Sequence, residues 1–392
     1  MRIPALDTSA PGTEVRDGGP GSGAAGPLPP GAGGPLAGLD LFGDGFVRDP
    51  HPWLDLLRSQ APVHHDAGTG LWLVSRHQDI RRVLLDPATF RPDNAQHAVT
   101  PLPVAVLRVL ARAGFQLPPA LANNGTDSHP GLRRVVTRFF NARRVAEAVP
   151  VIERLAAELL EVARARIDAD GEYDLFTSFA QVLPCRVLME LLDIHDVDPA
   201  TLIRWSDASL ELFWGRPTPD RQLEPAEPAG EFHRWPSTTV RSGRALVEPG
   251  LWPRLAQEEE AAGAWVEEVL RREPPVTTWR RVVARPVELG GVTLPAGAQL
   301  LLMLMGSGSD PEVFTDPERM CPHRANVRHH LAFGTGRHRC PGASLARAEA
   351  AVALRAAARG LPKARLVAGA EGTPMLGLLS FRAPLRVAVA DG

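Results

Sequence analysis

Phe333-Gly334-Thr335-Gly336-Arg337-His338-Arg339-Cys340-Pro341-Gly342 places one cysteine behind a glycine-broken loop and at the mouth of a helix. The helix is expected because Ala343 to Arg359 is rich in Ala, Leu and Arg, all good helix formers. Gly360 and Pro362 then end it in the usual order. The unpaired N–H groups and positive dipole end of a helix N-terminus favour thiolate over thiol at Cys340. Gly334, Gly336 and Gly342 leave the backbone bare where a flat, bulky group could lie against it. A lone thiolate on such a loop suits haem iron better than zinc, which recruits several Cys or His ligands at set spacings. The bland alternative is a cysteine buried in a helix–loop packing site.

The ten residues resemble the haem-binding loop of cytochromes P450, Phe-Gly-x-Gly-x-His-x-Cys-x-Gly, at every fixed position. The resemblance implies that Cys340 is the axial ligand of a b-type haem, that Phe333 packs beside the sulfur, and that His338 reaches a haem propionate. Further motifs follow the same family. His129 and Arg133 in Asp127-Ser128-His129-Pro130-Gly131-Leu132-Arg133 are four apart, on one face of a helix that Asp127 or Ser128 can cap. Their bland reading is a solvated basic face; the resemblance directs both to the propionates, where charge-assisted bonds are strong. Glu268 and Arg271 in Trp265 to Pro275 match the family's Glu-x-x-Arg helix, with Arg324 of Cys321-Pro322-His323-Arg324 as third member. An exposed pair at that spacing contributes little, whereas a buried one is costly to break. Arg281, after Pro274-Pro275, is expected at a propionate, and Asp310-Pro311-Glu312-Val313-Phe314 fits Asp-Pro-x-x-Phe.

Composition agrees with a folded chain of ordinary type. The chain has 392 residues, 44% hydrophobic and 22% charged, with a net charge of -2. No basic surface calls for nucleic acid. Three dispersed cysteines imply no disulfide framework, and Cys185 reads as core. Cys321 and His323 alone do not make a metal site. No apolar run approaches a membrane span and no signal segment is read, so a cytoplasmic protein is expected. Basic residues are almost all Arg, and Ala, Gly and Pro abound, as in GC-rich bacteria.

Residues 1–38 are mostly Gly, Pro, Ala and small polar residues, expected to be disordered, with one domain over 39–392. Pro52 to Arg58 reads as a helix, Pro62 to His65 and Leu71 to Ser75 as a hairpin, and Gln78 to Leu85 as a helix. Val149 to Ile167, Leu183 to Leu192, Thr201 to Phe213 and Ala245 to Gln257 read as helices. Val287 to Gly297 reads as a hairpin, and Arg365 to Val367 and Pro384 to Val389 as strands. By resemblance Met375 to Leu379 line the distal pocket. The fold class is thus mainly α with a small β domain, the cytochrome P450 fold, truncated in its central distal helix.

That truncation is the departure. The family's long helix over the distal haem face carries Ala/Gly-Gly-x-Asp/Glu-Thr-Thr, and no such motif stands here. Between Pro184 and Glu268 the chain falls short by on the order of 50 residues, about 75 Å of helix. Pro217, Pro219, Pro225, Pro228 and Pro236 exclude a long helix from what remains. Ser237-Thr238-Thr239 is the sole remnant, making Thr239 a weak catalytic candidate, with Glu231 too far back to be its acid partner. The resemblance implies a bacterial monooxygenase of specialised metabolism acting on a small-molecule or carrier-bound substrate. Ferredoxin and ferredoxin reductase would supply electrons, since no flavin or nicotinamide motif is attached. Two alternatives are a helper protein that activates a partner such as a glycosyltransferase, and a haem enzyme that uses peroxide.

Overall fold

A computed structural model describes residues 36–115, 119–195, 197–234, 255–256, 259–367 and 373–392. The expected disordered segment, apart from 36–38, and the remnant Ser237-Thr238-Thr239 lie outside the described residues, as does most of the expected helix Ala245 to Gln257.

Helices dominate, and one mixed sheet stands beside them. The opening runs α1 (Asp44–Arg48), α2 (His51–Gln60), β1 (Val63–Asp66), β2 (Leu71–Val74), α3 (His77–Leu85) and β3 (Phe90–Arg91). The expected hairpin forms in the register Val63↔Val74, turning through Gly70 at φ +70°. β5 (Trp279–Val283) and β8 (Gln299–Leu302) complete a five-stranded sheet of order β1-β2-β8-β5-β3. β8 runs parallel to β2 and antiparallel to β5. The Val287–Gly297 segment makes the second hairpin, β6 (Val287–Leu289) and β7 (Val292–Leu294). Gly290 and Gly291 both have positive φ, the conformation a two-residue hairpin loop requires.

The helical half comprises α4 (Val104–Arg112), α5 (His129–Phe139), α6 (Ala142–Asp170), α7 (Val182–Leu191), α8 (Pro199–Trp214), α9 (Ala226–Arg234) and α10 (Glu259–Arg272). α11 (Leu304–Ser307) and α12 (Ala343–Gly360) follow. The largest core joins α6, α7, α10 and α12 through Ile152, Leu160, Leu183, Trp265 and Val352. α6 starts seven residues earlier than the apolar pattern from Val149 suggested. Asn141 caps it, its Oδ1 accepting the Arg144 N–H, and Gly171 closes it at φ +78°.

Other expectations need correction. Trp214 is the last residue of α8 rather than just beyond it. Ser128 occupies the N-cap of α5 but caps nothing: its hydroxyl bonds Asn124 and Thr126 instead. The last strand is β10 (Ala388–Asp391), not Pro384 to Val389. It pairs with β9 (Ala364–Leu366) and β4 (Tyr173–Asp174). Pro384 makes only an isolated bridge to Met375, because it has no N–H for a ladder.

The prolines act as expected between α8 and α9. Pro217 and Pro219 lie in the connection, and Pro225 and Pro228 fall at the start of α9, where missing N–H groups cost little. The carboxylate of Glu231 accepts from Trp205 Nε1 at 2.6 Å and from Arg204, tying α9 to α8. No described helix is long and apolar enough to cross a membrane.

Candidate functional site

The Cys340 loop is closed by its own backbone, the Cys340 N–H donating to Phe333 O at 2.9 Å. Gly334 and Gly336 have φ of +63° and +69°, a region costly for a side chain. A Cβ on Gly336 would stand 3.0 Å from Leu84 O. That glycine therefore admits α3, not a flat ligand, which corrects the sequence reading for this position. Around Gly334 and Gly342 the space is open but for His338 O and Cys340 Sγ. The Phe333 ring lies under the Arg347 guanidinium, 4.4 Å to its centroid.

Cys340 is accessible, unlike the buried Cys185, whose pKa burial pushes up to about 11. Burial also pushes the Cys340 thiol up, against the N–H groups of Gly342 and Ala343 and the charges of Arg133 and Arg347. The helix mouth thus acts in the expected direction, lowering the Cys340 pKa, but burial outweighs it. A metal cation on Sγ would supply the difference, since coordination deprotonates a thiol.

Cationic side chains from three separate segments meet beside this loop. His129 is 1% exposed, and its ring centroid is 4.3 Å from that of His338. Arg337 Nε donates to His129 Nδ1 at 3.2 Å and Nη2 to Thr126 O at 2.8 Å, fastening α5 to the loop. Burial, then Arg281 and His129, hold the His338 pKa down to about 4. His129 is lowered by burial, Arg337 and Arg133. Arg281 is buried on β5, its own pKa lowered to about 10 by burial, with Arg280 O as its acceptor. His129 Nε2 and Arg133 Nη1 are buried donors without partners; His338 Nε2 is also buried without one, but while Nδ1 donates to Leu121 O at 3.3 Å it is a donor only in the imidazolium form. Neither Arg133 nor Arg281 pairs with a carboxylate of a described residue.

Buried donors of this kind normally find acceptors. Several of them, converging without an acid, fit an anionic group, and a propionate-bearing macrocycle carrying iron over Cys340 meets that demand. The sequence reading found His129, Arg133, Arg281 and His338 but missed Arg337, whose role needs the folded proximity of α5.

A second network braces the loop from below. Glu268 and Arg271 are both fully buried, with Nε–Oε2 and Nη2–Oε1 each 2.8 Å. The Cys321 N–H donates to Glu268 Oε1 at 2.8 Å, and Arg324 Nε reaches the same oxygen at 3.4 Å. Arg324 also donates to the carbonyls of Thr315, Asp316 and Arg319, and Arg271 lies over the Phe314 ring at 5.4 Å. A side chain at Gly308 would collide with Arg271 O at 1.9 Å.

The neighbouring Glu267, absent from the sequence reading, faces the cysteine loop instead. Its carboxylate takes Arg347 Nη2 at 3.3 Å and His330 Nε2 at 3.1 Å. The Ala332 N–H donates to His330 Nδ1, so Nε2 carries the proton toward Glu267. Burial alone would raise the Glu267 pKa, but the bonds from His330 and Arg347 prevail and hold it at about 2. A carboxyl depressed in the folded state contributes stability above its unfolded pKa and loses it as pH falls through the folded value. The window is therefore between about 4.5 and about 2, and the contribution about 3 kcal/mol. Wild-type protein should lose about 2 kcal/mol more stability than Glu267→Gln between pH 5 and pH 2.5, most of that contribution because pH 2.5 still lies above the folded value, read by urea midpoints at each pH. Parallel pH dependence in the two proteins would contradict the assignment.

Comparison with known proteins places this geometry. A family model described as Cytochrome P450 matches residues 262–357, spanning α10 to α12. The cytochrome P450 monooxygenase PikC of Streptomyces venezuelae is 31% identical over 375 residues, covering 82% of this chain and 86% of its own. Nocardicin C N-oxygenase of Nocardia uniformis subsp. tsuyamanensis is 29% identical, covering 89% and 97%. The P450 heme domain of Tepidiphilus thermophilus superposes with a TM-score of 0.80 at 28% identity, over 91% of this chain and 97% of that one. Since 82% of 392 residues is about 320, roughly fifty of the 375 positions aligned with PikC face no residue here.

Proposed function

Because the chain belongs to the cytochrome P450 superfamily and is an oxidoreductase of the monooxygenase type, we propose that it oxidises a small molecule of bacterial specialised metabolism at a haem held by Cys340. The observation that carries this reading is the donor cluster beside the Cys340 loop, whose buried nitrogens have no acceptor. His129, Arg133, Arg281, Arg337 and His338 would hold the propionates, Cys340 Sγ the iron, and Gly334 and Gly342 the open ground beside them. When bound, the haem supplies reductive activation of dioxygen, to which a thiolate ligand contributes electron density.

The protein's own contribution is positional. Glu268, Arg271 and Arg324 fix the segment that leads into the loop, while Glu267, His330 and Arg347 fix the loop itself. His338 and His129, whose pKa values burial and the neighbouring cations hold down, would be drawn toward their protonated forms as carboxylates approach, because opposite charge raises a histidine pKa. A ferredoxin with its reductase is the proposed electron source, in the cytoplasm.

The shortened centre of the chain bears on turnover. Controlled proton delivery is a general-acid task in a water-excluded pocket. The helix that performs it in the family has no counterpart among the described residues, and Thr239 lies outside them. We therefore expect poor coupling, with most reducing equivalents released as hydrogen peroxide. The test has two parts. The reduced protein with carbon monoxide should show the red-shifted Soret band of thiolate ligation; a colourless protein expressed with ample haem supply overturns the reading. Product formed per reduced cofactor consumed should then be low and unchanged in Thr239→Ala. Tight coupling lost in that variant would make Ser237-Thr238-Thr239 a working remnant.

A further inference from the structure

Arg280 and Arg281 are adjacent on β5, and adjacent residues of a strand point to opposite faces. Arg281 stands opposite Leu300, whose side packs with Leu84 and Leu331 next to the cysteine loop. Arg280 stands opposite Leu301, whose side packs with Leu73, Met303 and Leu379. The two guanidiniums therefore serve different faces of the sheet, and the propionate cluster accounts for only one of them.

Arg280 is nonetheless 2% exposed. Its Nη2 donates to His97 O, Nε is buried without a partner, and Nη1, which is not fully enclosed, meets no acceptor among the described residues. No carboxylate of a described residue pairs with it, and burial alone pushes its pKa down to about 10. An unpaired buried charge costs several kcal/mol, and in a folded protein it calls for a partner.

A second orphan donor borders the same layer. Trp214 is 8% exposed and its Nε1 has no acceptor. The layer is stitched by backbone bonds: Val99 N to Phe213 O at 3.0 Å and Leu379 N to Trp214 O at 2.9 Å. Thr278, just before β5 and two residues from Arg280, donates to Leu379 O at 3.0 Å. Phe381 meets the Trp214 ring edge-on at 5.4 Å. β5, the segment holding His97, the end of α8 and the 379–381 loop are thus bonded into one layer that carries two buried donors without an acceptor, among apolar and aromatic side chains.

We propose that Arg280, with Trp214 Nε1, forms an anion-binding subsite that holds an acidic group, a carboxylate or a phosphate monoester, on the substrate. This rests on the haem-enzyme reading above and adds the substrate's chemical class. A charged hydrogen bond in so dry a place gives strong discrimination against the neutral analogue, which would leave Arg280 unpaired.

The test is isothermal titration of the haem-loaded full-length protein with straight-chain carboxylates of graded length, their amides, and the matching alkyl phosphates. Wild type should bind at least one acid about tenfold or more tightly than its neutral counterpart. That preference should vanish in Arg280→Met, survive in large part in Arg280→Lys, and shrink in Trp214→Phe. Carboxylates or phosphates winning identifies which acid the subsite takes. Equal binding of acids and neutral analogues by wild type, or a preference intact in Arg280→Met, overturns the proposal. So does loss of haem in Arg280→Met, which would assign the side chain to the propionates. If wild type binds no haem, the enzyme reading fails separately, and Arg280-dependent thermal stabilisation of the apoprotein by the same acids still decides the subsite.

Discussion

Glu268→Ala should destabilise the protein by about 3–5 kcal/mol, the range for breaking a buried ion pair from one side. The substitution strands Arg271, fully buried, with its Nε and Nη2 donors unmet. It also removes the acceptor of the Cys321 N–H and of Arg324 Nε. Arg271 cannot shed its proton to escape the cost. Urea unfolding of purified protein should show a midpoint far below wild type, with low haem content. The companion test is a double variant, Glu268→Leu with Arg271→Met. Removing both charges replaces the pair with apolar volume and should cost less than Glu268→Ala alone, because Arg271 no longer leaves a fully buried charge and Arg324 keeps its carbonyl acceptors. A loss below about 1 kcal/mol in Glu268→Ala would mean that the network is solvated in solution. Additive costs in the double variant would mean that the two residues act independently.

Cys340→Ser should abolish the red-shifted carbon monoxide band and all turnover while leaving the fold in place. A serine hydroxyl is isosteric but does not ionise to bind iron, so the ligand is lost without disturbing the loop. The Cys340 backbone bond to Phe333, the Arg347 contact with Phe333 and the Glu267 network are all untouched by the change. Circular dichroism and unfolding midpoints should therefore match the wild-type apoprotein. The donor cluster also remains, so haem should still associate weakly, without the thiolate spectrum. Cys321→Ser is the control: Cys321 takes part through its backbone, its N–H donating to Glu268 and its carbonyl accepting from the Arg324 N–H, and the band should persist. Persistence of the band in Cys340→Ser would transfer the ligand role to another residue and dismantle the site.

The sequence by itself determined what depends on near neighbours along the chain. The Cys340 loop is legible because its glycines sit where positive φ is required, and the loop closes on itself through the Phe333–Cys340 bond. Glu268 and Arg271 are legible because a spacing of three places two side chains on one helix face. The shortfall before α10 is legible only against the resembled family, while the prolines by themselves show that no long helix fills the stretch that remains. Tertiary structure decided the rest, because burial and long-range proximity have no local signature. His129, Arg281 and Arg337 lie more than a hundred residues apart in part, and only the docking of α5 and β5 on the loop brings them together. Glu267 and Glu268 are consecutive and look alike in sequence, yet one faces His330 and Arg347 and the other Arg271 and Arg324. The Cys340 thiol goes up rather than down because desolvation, a property of the packed fold, outweighs the nearby N–H groups. Arg280 and Arg281 are adjacent arginines of β5, and the register against Leu301 and Leu300 decides that one lies on the side of the cysteine loop and the other does not.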